Sequence, residues 1–346
     1  GALTLAFPDR AHGTDARVTA LLETLGGHAL RERLHACRGQ PLRPSMFSIG
    51  HRGAPLHYPE HTRESYLAAI GQGAGIVECD VTVTRDHALV CRHDPCDLHS
   101  TTNILETPLA ARCRQPFTPA DPATGRAARA RCCTQDLTVA EFGTLCGRLD
   151  RVDATATTVA AYLAPGLPDV SITGTACGTL MTHAASVALL HERGTGMTPE
   201  LKSLEEPLVG NHPREITAFP DDLLNAYRAA GVPAARVWPQ SFDLTVVRHW
   251  LERHPDFADQ VIWLDGRYAE PGFDPSNPAT WRPGMDELRS LGLRYLAPPI
   301  PVLLALESGR IVATEYARAA RAAGLELITW TLERPGTLEG GSAFYL

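Results

Sequence analysis

Histidine and arginine side chains follow two short apolar segments of this chain. His51 and Arg52 follow the segment that begins at Met46, and His93 follows the one that ends at Cys91. Imidazoles exchange protons near neutral pH, and a guanidinium matches two phosphate oxygens, so these residues are candidate proton shuttles and a candidate phosphate ligand. Taken alone, a His-Arg-Gly sequence is more typical of a surface turn, and a single histidine after a strand is usually structural.

Carboxylates alternate with apolar residues in two predicted strands. In Glu78-Cys79-Asp80, strand alternation places both carboxylates on one face and the thiol on the other. Buried neighbouring carboxylates repel each other, and a bound cation relieves that repulsion. Glu200 supplies a third carboxylate, which predicts a site for one hard divalent cation, Ca²⁺ or Mg²⁺. Solvated acids on an edge strand are the alternative, and the apolar flanks of Glu78 and Asp80 argue against it.

Lys202 lies two residues after Glu200 and is the single lysine among 32 basic residues. Strand alternation puts both on one face. A lysine can be kept where arginine will not serve, because its ammonium is compact and has a tunable pKa, and we interpret Lys202 as binding phosphate as a point charge beside the cation. A general bias toward arginine explains the composition equally well, and a structural Glu–Lys pair is the alternative at this strand.

Alternating strands and amphipathic helices from residue 46 onward must position these side chains. The pattern predicts strands over 46–51, 76–83, 197–202, 236–242, 261–264, 294–298 and 325–332, and helices over 62–72, 221–230, 244–253, 285–291 and 314–323. Thr62 is the expected cap of the first helix. This alternation indicates a parallel sheet, and no GxGxxG motif supports a dinucleotide-binding fold.

The composition predicts a folded protein with disulfide bonds. Hydrophobic residues make up 44% of the 346 residues, which allows a large core, and the formal net charge of −7 argues against a nucleic-acid partner. No apolar run approaches the roughly 18 residues of a membrane span, so no stable membrane insertion is expected. Nine cysteines without a CxxC pair favour disulfides over zinc and indicate a secreted or periplasmic location. We expect Cys79 to be the unpaired thiol; buried free thiols are the alternative reading.

These clusters, in this order, resemble the glycerophosphodiester phosphodiesterase family. The matching segments are His51-Arg52-Gly53, Pro59-Glu60-His61-Thr62, Glu78-Cys79-Asp80-Val81, Thr84-Arg85-Asp86, His93-Asp94, Glu200-Leu201-Lys202, Ser241-Phe242 and Trp330-Thr331. The resemblance implies an α/β fold, a TIM (β/α)8 barrel with a disulfide-rich insertion after an early strand. It also implies hydrolysis of glycerophosphodiesters to glycerol 3-phosphate and an alcohol with one divalent cation.

The resemblance assigns a role to each candidate residue by its motif. It implies that His51 and His93 are catalytic, that Arg52 and Lys202 hold the phosphate, and that Trp330 lines the glycerol pocket. The implied cation ligands are Glu78, Asp80 and Glu200. Glu60 is expected to assist at the cation or the substrate. Many members have Asn where this chain has His61, and that substitution resembles a periplasmic bacterial branch.

The barrel reading divides the chain into four parts. We expect an N-terminal helical segment over 1–45, with a helix near 16–37, and the first part of the barrel over 46–94. A cysteine-rich insertion over 95–195 would cap one end of the barrel, because a structureless loop of that length is implausible. Its one predicted helix covers 180–192. Residues 196–346 would form the remainder of the barrel.

Three other functions fit parts of the pattern. A phospholipase D-type enzyme acting on lysophospholipid or sphingomyelin would be favoured by an apolar patch on the insertion or late loops, and the sequence shows no obvious one. A non-catalytic secreted binding protein is disfavoured because every expected site position is filled. A glycosidase with a carboxylate pair would leave the two histidines without a role. The head group, the identity of the cation, a cyclic phosphate intermediate and the oligomeric state stay open.

Overall fold

The computed structural model describes residues 22–23, 29–36, 43–203 and 218–331. Its strands are β1 Ser45–Gly50, β2 Ala74–Val83, β3 Leu89–Cys91, β4 Gln115–Thr118, β5 Arg129–Arg131, β6 Cys146–Gly147, β7 Gly178–Thr179, β8 Gly196–Leu201, β9 Gln240–Ser241, β10 Ile262–Leu264, β11 Tyr295–Ala297, β12 Leu304–Glu307, β13 Arg310–Ala313 and β14 Glu326–Leu327. Its helices are α1 Ala29–His35, α2 Arg63–Gly71, α3 Leu98–Thr101, α4 Val139–Phe142, α5 Val159–Leu163, α6 Val170–Thr173, α7 His183–Glu192, α8 Ala218–Ala229, α9 Leu244–Arg253, α10 Met285–Ser290, α11 Ile300–Leu303 and α12 Glu315–Ala322. Most of the helix predicted over 16–37, and Cys37, lie outside the described residues.

The main sheet has the strand order of a TIM barrel. Over the described residues, parallel strands pair in the order β1-β2-β8-β9-β10-β11-β14, and β3 pairs antiparallel with β2. Helices α2, α7, α8, α9, α10 and α12 each precede the next parallel strand along the chain. The predicted barrel class is confirmed. β9 is shorter than the strand predicted over 236–242, because residues Ala234–Arg236 form a 3₁₀ turn.

Local sequence features set the first βα unit. The Thr62 side chain accepts a hydrogen bond from the Ser65 backbone N–H and caps α2, as predicted. Gly73 then takes φ of +91°, a conformation that favours glycine, before the chain enters β2. A Cβ at Gly75 would lie 2.4 Å from the Ser45 carbonyl oxygen, so the close approach of β1 and β2 needs glycine there. All ten residues of β2 are buried.

The cysteine-rich stretch after β3 has an apolar core of its own. Leu98, Leu137, Phe142 and Tyr162 are among its buried side chains. It contains α3 to α6, which the sequence pattern did not predict, because helices of four or five residues carry too few turns to show an amphipathic period. By contrast, α7 packs against β2, β3 and β8 of the barrel. We propose that the barrel resumes at α7, before the predicted boundary at residue 195.

Four disulfides join the eight cysteines of the described residues. Their pairs are Cys79–Cys91, Cys96–Cys133, Cys113–Cys132 and Cys146–Cys177. The prediction that Cys79 is the unpaired thiol is therefore wrong. Its side chain does point away from the carboxylates, as alternation requires, but β3 folds back along β2 with Cys91 opposite Val81, which brings Cys91 to it. None of the helices in the described segments is long and apolar enough to span a membrane.

Candidate active site

Three carboxylates converge where β2 and β8 run side by side. Asp80 lies opposite Glu200 in the parallel register, and Glu78 is two residues earlier on the same face of β2. One oxygen of each carboxylate lies within 4.8 Å of the others. All three residues are buried, Asp80 completely. Strand alternation therefore brings together the three ligands predicted from the sequence.

The environment of the carboxylates fits a hard cation. Burial and the neighbouring Asp80 raise the pKa of Glu78 to about 7, and burial raises the pKa of Glu200 well above its usual value. Burial opposes ionisation of Asp80 too, but Lys202 and His61 hold its pKa well below the ordinary value. The buried Oδ1 atom of Asp80 has no hydrogen-bond partner among the described residues. An oxygen-only ligand set with an anionic oxygen that accepts no hydrogen bond suits Ca²⁺ or Mg²⁺.

His61 orients Asp80 from the loop between β1 and α2. The imidazole Nε2 lies 2.9 Å from Asp80 Oδ2, and Nδ1 lies 3.0 Å from the Tyr66 hydroxyl. Because a carboxylate only accepts, Nε2 donates to Asp80 and the Tyr66 hydroxyl donates to Nδ1. Burial lowers the pKa of His61, which keeps the ring neutral in this arrangement. The arrangement fixes one Asp80 oxygen and leaves the other facing the carboxylate cluster.

Glu78 accepts hydrogen bonds from two donors, one just after β1 and one on β9. The Arg52 backbone N–H donates to Oε2 at 2.9 Å, and the Gln240 side-chain amide donates to Oε1 at 2.8 Å. Gln240 stands on β9, opposite Glu200 in the register of β8 and β9. Both oxygens of Glu78 therefore have fixed directions before any ligand binds.

Arg52 lies at the edge of the carboxylate cluster, and an ion pair with Glu60 fixes its guanidinium. Its Nη1 atom donates to Glu60 Oε2 at 2.8 Å, and both side chains are buried. Burial would raise the pKa of Glu60, but the Arg52 and Arg92 guanidiniums outweigh it and hold the pKa low. The fully buried Arg92 donates to the backbone carbonyl of Glu60 and, at 2.9 Å, to that of Cys91. Glu60 therefore positions Arg52, and Arg92 positions the loop that carries Glu60.

The two candidate histidines border the same acidic cluster. His51 Nε2 lies 3.7 Å from Glu78 Oε2. The backbone N–H of Arg92 donates to the Asp80 carbonyl at 2.7 Å. The β2–β3 pairing therefore extends to Arg92, the residue immediately before His93. Burial and the Lys202 ammonium lower the pKa of His93 well below the usual value. The turn between β2 and β3 therefore brings His93 within electrostatic range of Lys202 and Asp80.

Lys202 faces the carboxylates from the end of β8. Its Nζ atom lies 2.7 Å from Glu200 Oε1 and 4.0 Å from Asp80 Oδ1. Burial would lower the pKa of Lys202, but Asp80 and Glu200 raise it above the ordinary value, so the ammonium stays charged. Lys202 and Glu200 therefore face the same side, as strand alternation predicted, and the binding of phosphate by Lys202 stays a prediction.

Trp330 belongs to an aromatic group at the same end of the barrel. Its indole N–H donates to the Ala297 carbonyl at 2.9 Å, and its ring makes edge contacts with Phe242 and Tyr268 at centroid distances of 5.8 and 5.9 Å. Among the described contacts, none joins Trp330 to the carboxylates. The place of Trp330 in a glycerol pocket stays a prediction.

His61, Arg92 and Gln240 support the site, and the sequence reasoning gave none of them a role. His61 belongs to the Pro59-Glu60-His61-Thr62 motif, and its position immediately before a helix cap is the only sequence signal for its role. Gln240 lies 162 positions from Glu78, so a single sequence offers no indication of their contact. Arg92 could have been noticed as a charged residue directly after an apolar run.

Comparison with known proteins places the chain in a family. The model of the "Glycerophosphoryl diester phosphodiesterase family" matches residues 51–340. A protein of Arthroderma benhamiae named "Extracellular protein" is 35% identical over 195 residues, which is 55% of this chain and 77% of that protein. A probable glycerophosphodiester phosphodiesterase of Mycobacterium tuberculosis is 54% identical over 48 residues, but these cover only 14% of this chain and 18% of that protein.

Solved structures show the same fold. A putative glycerophosphoryl diester phosphodiesterase from Silicibacter pomeroyi has a TM-score of 0.58 and 21% identity, with 86% of each chain covered. An Oleispira antarctica phosphodiesterase in complex with the product sn-glycerol-3-phosphate has a TM-score of 0.51 and 17% identity, with 82% of this chain and 83% of that chain covered. With the family model matched over most of its length, the chain belongs to the glycerophosphoryl diester phosphodiesterase family.

Proposed function

We propose that this chain hydrolyses glycerophosphodiesters to glycerol 3-phosphate and an alcohol, with one divalent cation, Ca²⁺ or Mg²⁺, bound by Glu78, Asp80 and Glu200. The observation that carries the proposal is the convergence of these carboxylates within 4.8 Å, with an imidazole of His51 3.7 Å from Glu78. Family membership supports it. The sn-glycerol-3-phosphate bound to the Oleispira antarctica phosphodiesterase supports it as well.

The charged residues of the site would bind and polarise the phosphate. A bound divalent cation supplies Lewis-acid stabilisation of charge on a phosphoryl oxygen. Arg52, fixed by Glu60, would hold phosphate oxygens through its fork of N–H donors, and the Lys202 ammonium would act as a point charge. Donors that are already oriented stabilise developing charge without a reorganisation cost.

The two histidines would move the protons. One imidazole, of His51 or His93, removes the proton from the attacking oxygen, and the other protonates the leaving alcohol oxygen. The attacking oxygen belongs either to water or to the glycerol 2-hydroxyl, which would give a cyclic phosphate first. Trp330, with Phe242 and Tyr268, would form the wall against which the glycerol carbons pack.

Hydrolysis of glycerophosphocholine tests the proposal. We expect His51→Ala and His93→Ala each to lower kcat by about 10²–10⁴-fold, the usual contribution of general acid–base catalysis. His191→Ala, a partly exposed histidine on α7, is the matched control and should retain full turnover. EDTA should abolish activity, and Mg²⁺ or Ca²⁺ should restore it. Near-normal turnover of both histidine variants, or activity in EDTA, would contradict the assignment.

A phospholipid substrate is a second candidate, favoured by an exposed apolar hairpin. β12 and β13 pair so that Leu306 lies opposite Ile311, with Leu304 on the same face of β12. Leu306 and Ile311 are 73% and 74% exposed. The sequence had suggested no apolar patch in the late loops, and this hairpin supplies one. Exposed apolar patches of this kind are typical of lipid or partner contacts.

Comparison of a water-soluble and a lipid substrate separates the two candidates. We expect Leu306→Ser with Ile311→Ser to leave glycerophosphocholine turnover unchanged. If the hairpin serves lysophosphatidylcholine, the same double variant should lower turnover of that substrate in micelles. Equal turnover of the lipid by both proteins would remove the hairpin from substrate binding. Absence of lipid turnover would leave the glycerophosphodiester as the substrate.

We also propose that the protein works outside the cytoplasm. Disulfides form and persist in oxidising compartments, and the described residues contain four. Its similarity to a protein of Arthroderma benhamiae named "Extracellular protein" supports the same location. Detection of the chain in culture medium, and its loss of folding under reducing conditions, would test this.

A further inference from the structure

Metal-ligand side chains also meet outside the barrel, where α8 packs against α9. Asp221 lies in the first turn of α8, His249 lies on α9, and His254 follows the last turn of α9. The Nε2 atoms of His249 and His254 lie 2.6 and 2.7 Å from the same oxygen, Asp221 Oδ1. One ligand atom of each residue lies within 4.8 Å of the others. These residues take no part in the proposed hydrolysis.

Packing holds this trio in place before any ligand binds. The fully buried Trp250, next to His249, donates its indole N–H to the Pro220 carbonyl at 3.1 Å and so ties α9 to the residue before Asp221. His254 is buried, His249 is partly exposed and the Asp221 side chain is 44% exposed. The site is therefore preformed on its inner side and open to solvent on its outer side.

We propose that Asp221, His249 and His254 bind a divalent transition-metal ion, of which Zn²⁺ is the best match, and that the ion clamps α8 to α9. Two imidazoles with one carboxylate suit Zn²⁺, whereas the oxygen-only cluster of the barrel suits Ca²⁺ or Mg²⁺. Ligand atoms at tetrahedral Zn²⁺ are about 3.3 Å apart, given bonds of about 2.0 Å. For the two Asp221–imidazole pairs, the observed distances of 2.6 and 2.7 Å require only a small outward shift of the side chains.

Arg228 competes with the metal at His254. Its Nη2 atom lies 2.9 Å from His254 Nδ1, and a guanidinium only donates, so Nδ1 carries the lone pair and Nε2 carries the proton. Metal binding through Nε2 needs the opposite tautomer, and Arg228 must then turn away. The Nε and Nη1 atoms of Arg228 have other partners, Asp256 at 3.0 Å and Asn225 at 2.8 Å. Removal of the guanidinium should therefore strengthen metal binding.

Calorimetric titration of ZnCl₂ into the full chain, in excess Mg²⁺, tests the proposal. We expect one Zn²⁺ per chain, with affinity lowered at least about 100-fold by His249→Ala or Asp221→Asn, since even loss of an outer-shell partner costs about 10–100-fold. Arg228→Met should raise the affinity severalfold. His191→Ala is the matched control and should change nothing. Zn²⁺ should also raise the melting temperature of the parent protein and not that of His249→Ala.

A further variant distinguishes Zn²⁺ binding at the helices from cation binding at the barrel site. Asp80→Asn removes a proposed ligand of the catalytic cation and should leave Zn²⁺ binding at the helices unchanged. Zn²⁺ binding that disappears with Asp80→Asn, or that survives both His249→Ala and Asp221→Asn, overturns the proposal. Because the readout is binding, this result is independent of whether the chain hydrolyses glycerophosphodiesters.

Discussion

A buried histidine outside the active site should make folding stability depend on pH. His183 begins α7, is buried, and shares a hydrogen bond of 3.1 Å between its Nε2 atom and the Tyr227 hydroxyl. Its Nδ1 atom has no hydrogen-bond partner among the described residues. Burial lowers the pKa of His183 from 6.5 to about 4. The folded protein therefore keeps this ring neutral at a pH where the unfolded chain protonates it.

The sign and size of the effect follow from this difference. Because the folded pKa is depressed, the unfolded state binds more protons between about pH 4 and pH 6.5, and stability rises with pH across that window. The contribution is fully present above the unfolded pKa of 6.5 and is lost as the pH falls toward about 4. A tenfold difference in proton affinity between the folded and unfolded states corresponds to about 1.4 kcal/mol, so the step from about pH 7.5 to about pH 4.5 costs roughly 2.5 kcal/mol.

Urea unfolding of the parent protein and of His183→Gln measures the effect. Both proteins lose stability in acid because other groups titrate, so the relevant quantity is the difference in the free energy of unfolding between them. We expect that difference to change by roughly 2.5 kcal/mol in favour of the variant between about pH 7.5 and about pH 4.5. His191→Gln on the same helix is the control. A change below about 0.5 kcal/mol, within the spread of ordinary surface substitutions, would refute the reasoning.

Further predictions concern the supports of the site. His61→Leu should lower divalent-cation affinity and kcat/KM by about 10–100-fold with unchanged circular dichroism, because Asp80 loses the donor that orients it; normal activity would show that Asp80 needs no such support. Cys79→Ala with Cys91→Ala should lower the free energy of unfolding by about 2–4 kcal/mol in urea titrations and reduce turnover, because the bond joins β2 to β3. Unaltered stability would exclude that role. Lys202→Arg should raise KM for glycerophosphocholine at least about tenfold, since a planar fork replaces a point charge; an unchanged KM would mean that charge alone suffices.

Strand alternation explains why the acidic cluster could be predicted. Glu78, Asp80 and Glu200 each lie on a buried strand with apolar neighbours, so their faces follow from the two-residue period alone. The parallel strands of a barrel have their carboxyl ends at the same side, so the positions of His51 and Lys202 could also be predicted. The helix start at Thr62 followed from capping chemistry.

Contacts between distant parts of the chain could not be predicted. The Cys79–Cys91 bond depends on how tightly β3 folds back along β2, and no residue type reports that distance. Gln240 reaches Glu78 because β9 lies beside β8 in the sheet, and the strand order is not a property of local sequence. The short helices of the insertion depend on its own small core and its disulfides. That the insertion caps the active site stays a prediction.

Cation titration of the EDTA-treated protein tests the central claim most directly. Mg²⁺ and Ca²⁺ would be added separately to the parent protein and to Glu78→Gln, Asp80→Asn and Glu200→Gln, with heat and glycerophosphocholine turnover recorded on the same samples. We expect one of the two ions to bind once per chain, to restore turnover, and to lose at least about tenfold in affinity in every variant. Full turnover without either ion, or variants that bind it as tightly as the parent, would contradict a cation site at these carboxylates.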